Sequence, residues 1–361
     1  MYEEYIELLR KMVAVPSPSF AEEEVCALIC SALDSWGIAC RTPRGNIVAV
    51  NRQFDPSKKT LALDAHMDTV PASDSYTRDP YDAGCDPDIV WGLGSNDDGG
   101  SVVSMLAAFR YYYDKDLPFN LMLIISREEE RSGADGTSWL FGRDGYFRTA
   151  GELPYPDWVI VGEPTGMKAA TSERGLLVLD GTAHGVSGHA ARSEGVNALY
   201  IALEDIEALR SYKFDKHSDL MGDVKLTVTQ INAGTAHNVV PDSCTFVVDI
   251  RPTECYTNPE ILAALQAVCR SELKARNLRN GSSATSAGSP LLRTIEGMGI
   301  DTFSSPTTSD WVRIGCDAVK MGPGESSRSH KADEFIRTEE IADAIGKYIQ
   351  FIGTFYGNTL E

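Results

Sequence analysis

The 361-residue sequence predicts an α/β fold, a mainly parallel sheet flanked by helices, interrupted by an inserted α+β domain. Three observations predict it. Short continuous apolar runs at residues 46–50, 61–65, 121–126 and 158–161 alternate with helical patterns, as buried strands do when helices cover both faces of a parallel sheet. After Pro164-Thr165-Gly166 the texture changes to longer, more alternating runs at 176–183, 224–231 and 244–251, the mark of strands with one wet face. The chain also exceeds the roughly 250 to 300 residues at which single cores stop growing, so a seam is expected. The pattern suggests a first domain of residues 1–171 and 284–361, an insertion of residues 172–283, and hinges near Thr171 and Ser283.

Taken in order, Tyr2, Tyr5, Ile6, Leu9, Met12 and Val13 recur at helical spacing until the turn-rich Pro16-Ser17-Pro18-Ser19. A second helix is expected over residues 21–36, with Glu22, Glu23 and Glu24 in its first turn, where the helix dipole favours acids. A third covers residues 101–112. Inside the insertion, residues 197–209 and 259–273 read as helices, the latter with Asn258 as N-cap and Pro259 at its first position. The Gly/Ser/Ala-rich stretch 280–289 reads as a loop or hinge. A strand near residues 318–321 and a helix over 338–351 then return to the first domain. No internal repeat of fixed period is present.

Composition narrows the function classes. With 43% hydrophobic and 24% charged residues the chain is an ordinary globular protein. Its 33 Lys+Arg against 52 Asp+Glu leave a net charge of −19, a field that repels phosphate backbones and anionic lipid. Nucleic-acid and membrane partners are therefore not expected. No apolar run approaches the roughly 20 residues of a membrane span, and MYEEYIELLR carries acids where a signal peptide carries bases, so a cytoplasmic protein is expected. Eight cysteines lack paired short spacings and read as small apolar residues. Cys26 and Cys30, four apart, form either a helix-face packing pair or half of a metal site.

The residues able to carry chemistry fall at strand ends. His66 and Asp68 follow the run at 61–65, and residues two apart in an extended chain face the same side. They read either as a carboxylate, histidine, metal relay or as a strand-end His bonded to a turn Asp. Asp97 and Asp98 lie among glycines just before a helix, where one Asp could bridge two cations or simply cap the helix. Gly92 and Gly94 lack the third glycine of a dinucleotide fingerprint, and no phosphate-loop Lys follows. Glu128, Glu129 and Glu130 end the run at 121–126, and Glu163 ends the run at 158–161. Such adjacent acids are stable when solvated or when neutralised by cations. His330, in a Ser/Gly-rich loop, is a surface residue or the last ligand. Five placements of this kind together favour metal-assisted hydrolysis. The charges of two divalent cations would be neutralised by three ligating carboxylates and one hydroxide.

With these motifs in view, the sequence resembles the co-catalytic di-zinc family of aminoacylases, acetylornithine deacetylases, succinyl-diaminopimelate desuccinylases and glutamate carboxypeptidases. The marks are His66-Met67-Asp68-Thr69-Val70-Pro71, Gly92-Leu93-Gly94 leading to Asp97, Glu129-Glu130, Gly162-Glu163-Pro164-Thr165 and His330. GLGSND and GESSRSH look most like the acetylornithine deacetylase branch. The resemblance implies two Zn2+, with Co2+ or Mn2+ as substitutes: one held by His66 and Glu163, the other by Glu130 and His330, with Asp97 bridging. It further implies that Asp68 orients His66 and that Glu129 is the general base. Glu128 is left without a step. The insertion resembles the family's lid and dimerisation domain, in which His189 would stabilise an oxyanion in the partner subunit of a homodimer or else be bonded within the lid. Asn238 and Arg251 match positions that hold the substrate carboxylate, and Arg174 and Thr308 are candidates of the same kind. The sequence departs from the commoner pattern at Leu93, where Arg is usual, and at Asp98-Gly99, where Met-Lys is usual.

The function implied is zinc-dependent removal of an acetyl or succinyl group from the α-amine of ornithine, citrulline or a related amino acid in arginine biosynthesis. The alternatives are a succinyl-diaminopimelate desuccinylase, a dipeptidase or carboxypeptidase with the same metals, and a metal-binding regulatory protein that has lost catalysis.

Overall fold

The structure is a computed structural model and describes residues 2–149, 153–192 and 194–358. The chain divides into two compact units, one of Met1–Thr171, Ala284–Phe303 and Ser309–Glu361, the other of Ser172–Ser283 and Ser304–Thr308. Residues 304–308, read from the sequence as part of the returning segment, group with the second unit.

In the first unit the strand Thr60–His66 runs parallel to Asn120–Ser126 on one side and to Trp158–Val161 on the other. Asp317–Lys320 extends the parallel set beyond Trp158–Val161, and Ile47–Val50 joins Asn120–Ser126 antiparallel. Every residue of Thr60–His66 and Asn120–Ser126 is buried, which is why these strands read as unbroken apolar runs instead of alternating ones. The helix Gly100–Tyr112 is buried almost all round, on the sheet and against the C-terminal helix Thr338–Asn358. Its Leu106 and Phe109 are wholly inaccessible, each contributing about 1.5–3 kcal/mol of apolar burial.

Register decides where the functional residues fall. His66 pairs with Ser126, Asp64 with Val161, and Val161 with Lys320, so the four parallel strands end at one edge. In an open α/β sheet that edge is where ligands gather. The chain leaving it carries Asp68, Glu129, Glu163 and, ten residues after Lys320, His330.

The second unit is a four-stranded antiparallel sheet in the order Lys225–Ala233, Ser243–Arg251, Leu177–His184, Glu272–Ala275. Leu177, Leu179, Phe246, Val248 and Ile250 form one face, packed with Ile201, Ile261 and Leu265 of the helices Ala198–Ser211 and Asn258–Gln266. Gly181 is required there, because a Cβ would lie 2.4 Å from the Phe246 ring. The helix expected over 259–273 stops at Gln266, and Glu272–Ala275 is instead an edge strand. Its N-cap is Thr257, not Asn258: the Thr257 hydroxyl and the Glu260 carboxylate close a reciprocal capping box, a feature the Asn-Pro dipeptide masked.

The structure adds elements too short for periodicity to reveal, among them the antiparallel pair Ile89–Trp91 and Phe335–Arg337 and the helix Pro290–Met298. No helix among the described residues is long and apolar enough to cross a membrane.

Candidate metal centre

His66 closes its strand with the imidazole buried. Its Nδ1 lies 2.9 Å from the backbone carbonyl of Asp68 and 3.5 Å from that residue's Oδ1. An Nδ1–H donated to the carbonyl leaves the Nε2 lone pair facing the cavity. The Asp68 carboxylate accepts from Ser19 Oγ at 2.7 Å and from the N–H groups of Glu129 and Glu130 at 3.0 and 3.2 Å. Burial works to raise its pKa, but the nearby His66 imidazole and the bonds from Ser19 and the Glu129 N–H outweigh burial and hold it below the usual carboxylate range.

The glycine turn before Asp97 permits close approach. Gly94 has φ 76°, and a Cβ there would lie 2.5 Å from Thr69 Cγ2. Asp97 then sets Oδ1 3.2 Å from His66 Nε2 and Oδ2 3.8 Å from His330 Nε2. It is this acid of the Asp97-Asp98 pair that reaches both imidazoles. Asp98 is buried beside it, its carboxyl pushed up to about 8 chiefly by burial.

The three consecutive glutamates separate by direction. Glu128, with φ 62°, turns inward, pairs with Arg127 Nε at 3.2 Å and accepts from the Asp135 N–H at 3.0 Å, so its work is to shape the turn. Glu130 meets His330 Nε2 at 3.0 Å. Glu129 lies with Glu163 beside His66.

Two groups of donors result. His66, Asp97 and Glu130 bring one ligand atom each within 4.8 Å of one another, and so do His66, Glu129 and Glu163. Burial pushes both Glu129 and Glu163 well above the usual carboxylate range; Glu163 and Asp310 add to this at Glu129, and Asp97 adds to it at Glu163. The Lys320 ammonium at Glu163 and a charged His66 at both offset only part of the effect. Acids packed this closely hold room for more positive charge, and imidazole nitrogens with carboxylate oxygens are what zinc and related divalent cations accept. The donor set therefore fits a pair of such cations.

The pattern that defines peptidase family M20/M25/M40 matches residues 62–354, which contain His66, Asp97, Glu129, Glu130, Glu163 and His330. The chain belongs to that family. It is accordingly a metal-dependent hydrolase of amide bonds. Among curated proteins it is 26% identical to a succinyl-diaminopimelate desuccinylase of Cereibacter sphaeroides, over 97% of this chain and 98% of the relative. It is 27% identical to a protein of Pyrobaculum aerophilum named LysW-lysine/LysW-ornithine hydrolase, over 93% of each. Among solved structures, the M20 metallo-carboxypeptidase Sso-CP2 of Sulfolobus solfataricus superposes with a TM-score of 0.76 at 17% identity, over 98% and 99% of the two chains. That likeness shows the shared fold.

The remaining candidates lie in the second unit. His189 is exposed and its Nδ1 accepts from the Ala191 N–H at 3.1 Å. Asn238 offers its carbonyl to Ala190 N–H at 3.1 Å. Arg251 pairs with Asp249 at 2.8 and 3.1 Å. Arg174 is buried, with its guanidinium donating to the carbonyls of Met221, Asp223 and Arg251, and Thr308 Oγ1 donates to its carbonyl at 2.9 Å. Both side chains are thus occupied in holding the unit's own backbone.

Sequence reasoning missed several supports in this M20 unit. Glu22, expected as a dipole acid, is buried: it accepts from Phe20 N–H and Glu128 N–H and pairs with Arg127 Nη2 at 2.6 Å. Asp310 accepts from Ser126 Oγ and Thr137 Oγ1. Asn96 and Glu334 bond the loops that carry Asp97 and His330. A buried Glu three residues after a run of serine and proline has no pattern to mark it.

Proposed function

We propose that the chain removes an acyl group from the amine of a diamino acid of the ornithine, lysine or diaminopimelate kind, using two divalent cations. The observation that carries this reading is the meeting of His66, Asp97, Glu130 and His330, with Glu129 and Glu163 alongside. His66 and Glu163 would hold one cation, Glu130 and His330 the other, and Asp97 would bridge. Bound there, the cations supply Lewis acidity toward the amide carbonyl and lower the pKa of the attacking water. Zinc suits the ligands, with cobalt or manganese as substitutes.

The chain's own residues do the rest. Glu129 takes a proton from the water as it adds to the carbonyl carbon, then delivers that proton to the leaving nitrogen as the C–N bond breaks. Asp68 keeps His66 and the backbone of Glu129 and Glu130 in place. His189 would serve the oxyanion from the partner of a homodimer formed through the second unit. With Nδ1 accepting from Ala191, its proton sits on Nε2, ready to donate.

The diamino acid is favoured because the named activities of the two curated relatives described above concern diaminopimelate, lysine or ornithine. Within that class N-acyl-ornithine is our first choice, in arginine biosynthesis and in the cytoplasm. Measuring kcat/KM on N-acetyl-ornithine, N-succinyl-ornithine, N-acetyl-citrulline, N-succinyl-diaminopimelate and simple dipeptides tests the reading. A preference for a dipeptide over every acylated amino acid rejects it.

A further inference from the structure

We infer that Asn96 and Glu334 form a two-way clamp between the loop carrying Asp97 and the segment carrying His330, and that this clamp sets the affinity for the second of two cations. The inference rests on the two-cation reading above and names the positioning residues of that centre.

From the Asp97 loop, the Asn96 side chain reaches across to the His330 segment. Its Nδ2 donates to the Glu325 carbonyl at 3.2 Å and to Ser329 Oγ at 3.4 Å, while its Oδ1 accepts from the Glu325 N–H at 2.9 Å. From the far end of that segment, Glu334 reaches back. Its Oε1 accepts from the N–H groups of both Asn96 and Asp97 at 2.9 Å, and its carbonyl accepts from Gly92 N–H at 2.8 Å. Each loop thus supplies a side chain that satisfies the other's backbone. Both side chains are buried, Asn96 wholly and Glu334 to 2% exposure, so these bonds face little competition from water. The fit is close: a Cβ on Gly324 would lie 2.3 Å from Asn96 Oδ1.

His330 needs such support. Its side chain is 55% exposed, and its φ of 58° lies in the left-handed region that side-chain-bearing residues seldom adopt; Asp333, at 56°, lies there too. Its imidazole meets Glu130 at 3.0 Å and Asp97 at 3.8 Å, and both of these would share its cation. A ligand on an exposed, unusual backbone adds affinity only when something else has already ordered that backbone. Asn96 acts before His330 in the chain and Glu334 after it. Asp97 is held by the same bonds, so the distance between the bridging acid and the last imidazole is set by the clamp. His66 and Glu163 follow their own strand ends, and the Glu163 turn meets the clamped segment only at its near end, where the Thr165 and Gly166 N–H groups donate to the Gly322 and Gly324 carbonyls.

The test is titration of the metal-stripped full-length chain with Co2+, followed by visible absorption and calorimetry. The wild type should take up two equivalents. In Glu334→Ala and in Asn96→Ala both equivalents share the loosened Asp97, so the first should weaken by up to about threefold and the second, which also loses an ordered His330, by about 10–100-fold. Glu334→Gln keeps a carbonyl oxygen for the two N–H groups and should restore the second equivalent to within a few fold. Wild-type affinity for both equivalents in either folded alanine variant overturns the inference, and so does equal weakening of both. Should one alanine variant fail to fold, the other decides. Should both fail, Asn96→Asp, which keeps Oδ1 and loses both donated bonds, carries the same expectation and the same refutation. A wild type that binds fewer than two equivalents refutes the two-cation reading itself, an outcome the variants do not mimic.

Discussion

The nearest acceptor to His66 Nδ1 is the backbone carbonyl of Asp68, at 2.9 Å, and not its carboxylate, at 3.5 Å. The carbonyl is enough to fix the tautomer. The carboxylate is thereby free to collect Ser19 Oγ and two backbone N–H groups from the Glu129-Glu130 turn. Asp68 couples the first strand end to the turn that carries the proposed base.

Asp68→Asn separates these duties. The carbonyl to His66 survives, but an amide NH2 now faces donors, and a hydrogen bond to a charged group is worth about 1.5–3 kcal/mol. The expected outcome is a stability loss of that order, two metals still bound, and kcat lowered about 10–100-fold. Denaturant unfolding, metal analysis and steady-state kinetics measure the three quantities. Wild-type kcat in the variant would show that the carboxylate does not position Glu129.

Glu129→Gln removes the proton carrier while keeping the side chain's size. A general base is worth about 10²–10⁴-fold, so kcat should fall by that factor with KM and metal content little changed. Hydrolysis at the wild-type rate would refute the assignment of Glu129. A variant that loses a metal equivalent would instead make Glu129 a ligand, which its place beside His66 and Glu163 makes a fair question.

His330→Ala and His66→Ala should differ. His330 touches only Glu130 and Asp97 of the donor set, whereas His66 belongs to both groups of donors. The His330 variant should keep one equivalent of metal after dialysis and the His66 variant should keep less than one. Equal stoichiometry in the two, measured by elemental analysis, would contradict the proposed division of ligands.

The legible part of this site and the hidden part differ in kind. His66, Glu129, Glu130 and Glu163 could be found because continuous apolar runs announce buried strands, and polar residues ending such runs have few uses. Asn96 and Glu334 could not, since they act on backbone N–H groups that every loop possesses. Arg174 shows the converse: nothing in a sequence tells a guanidinium aimed at a ligand from one that pins three carbonyls. The strands Thr60–His66 and Asn120–Ser126 were readable for the same reason as the site, their burial on both faces. Ile89–Trp91 and Phe335–Arg337, three residues each, are too brief for any period to appear.

The start of the helix Asn258–Gln266 offers a test of local reading against local structure. Pro259 pointed to Asn258 as the cap, yet the Asn258 Nδ2 donates to the Asn280 carbonyl at 2.9 Å and the residue is buried. Thr257 caps instead: its Oγ1 accepts from the Glu260 N–H at 3.4 Å, and Glu260 Oε2 accepts from the Thr257 N–H at 2.7 Å. The long first bond suggests a modest cap, so Thr257→Ala should cost about 0.5–1 kcal/mol, at the low end for such changes. Asn258→Ala removes a buried bond to the residue 280 loop and should cost more, about 1–1.5 kcal/mol, the Asn280 carbonyl keeping the bond from the Leu176 N–H at 3.0 Å. Hydrogen exchange would separate the two further. The first variant should raise exchange only in the first turn of the helix, while the second should raise it around residue 280 as well. If Thr257→Ala proves the more damaging of the two, the cap carries more of the helix than its geometry indicates, and the order argued here is wrong.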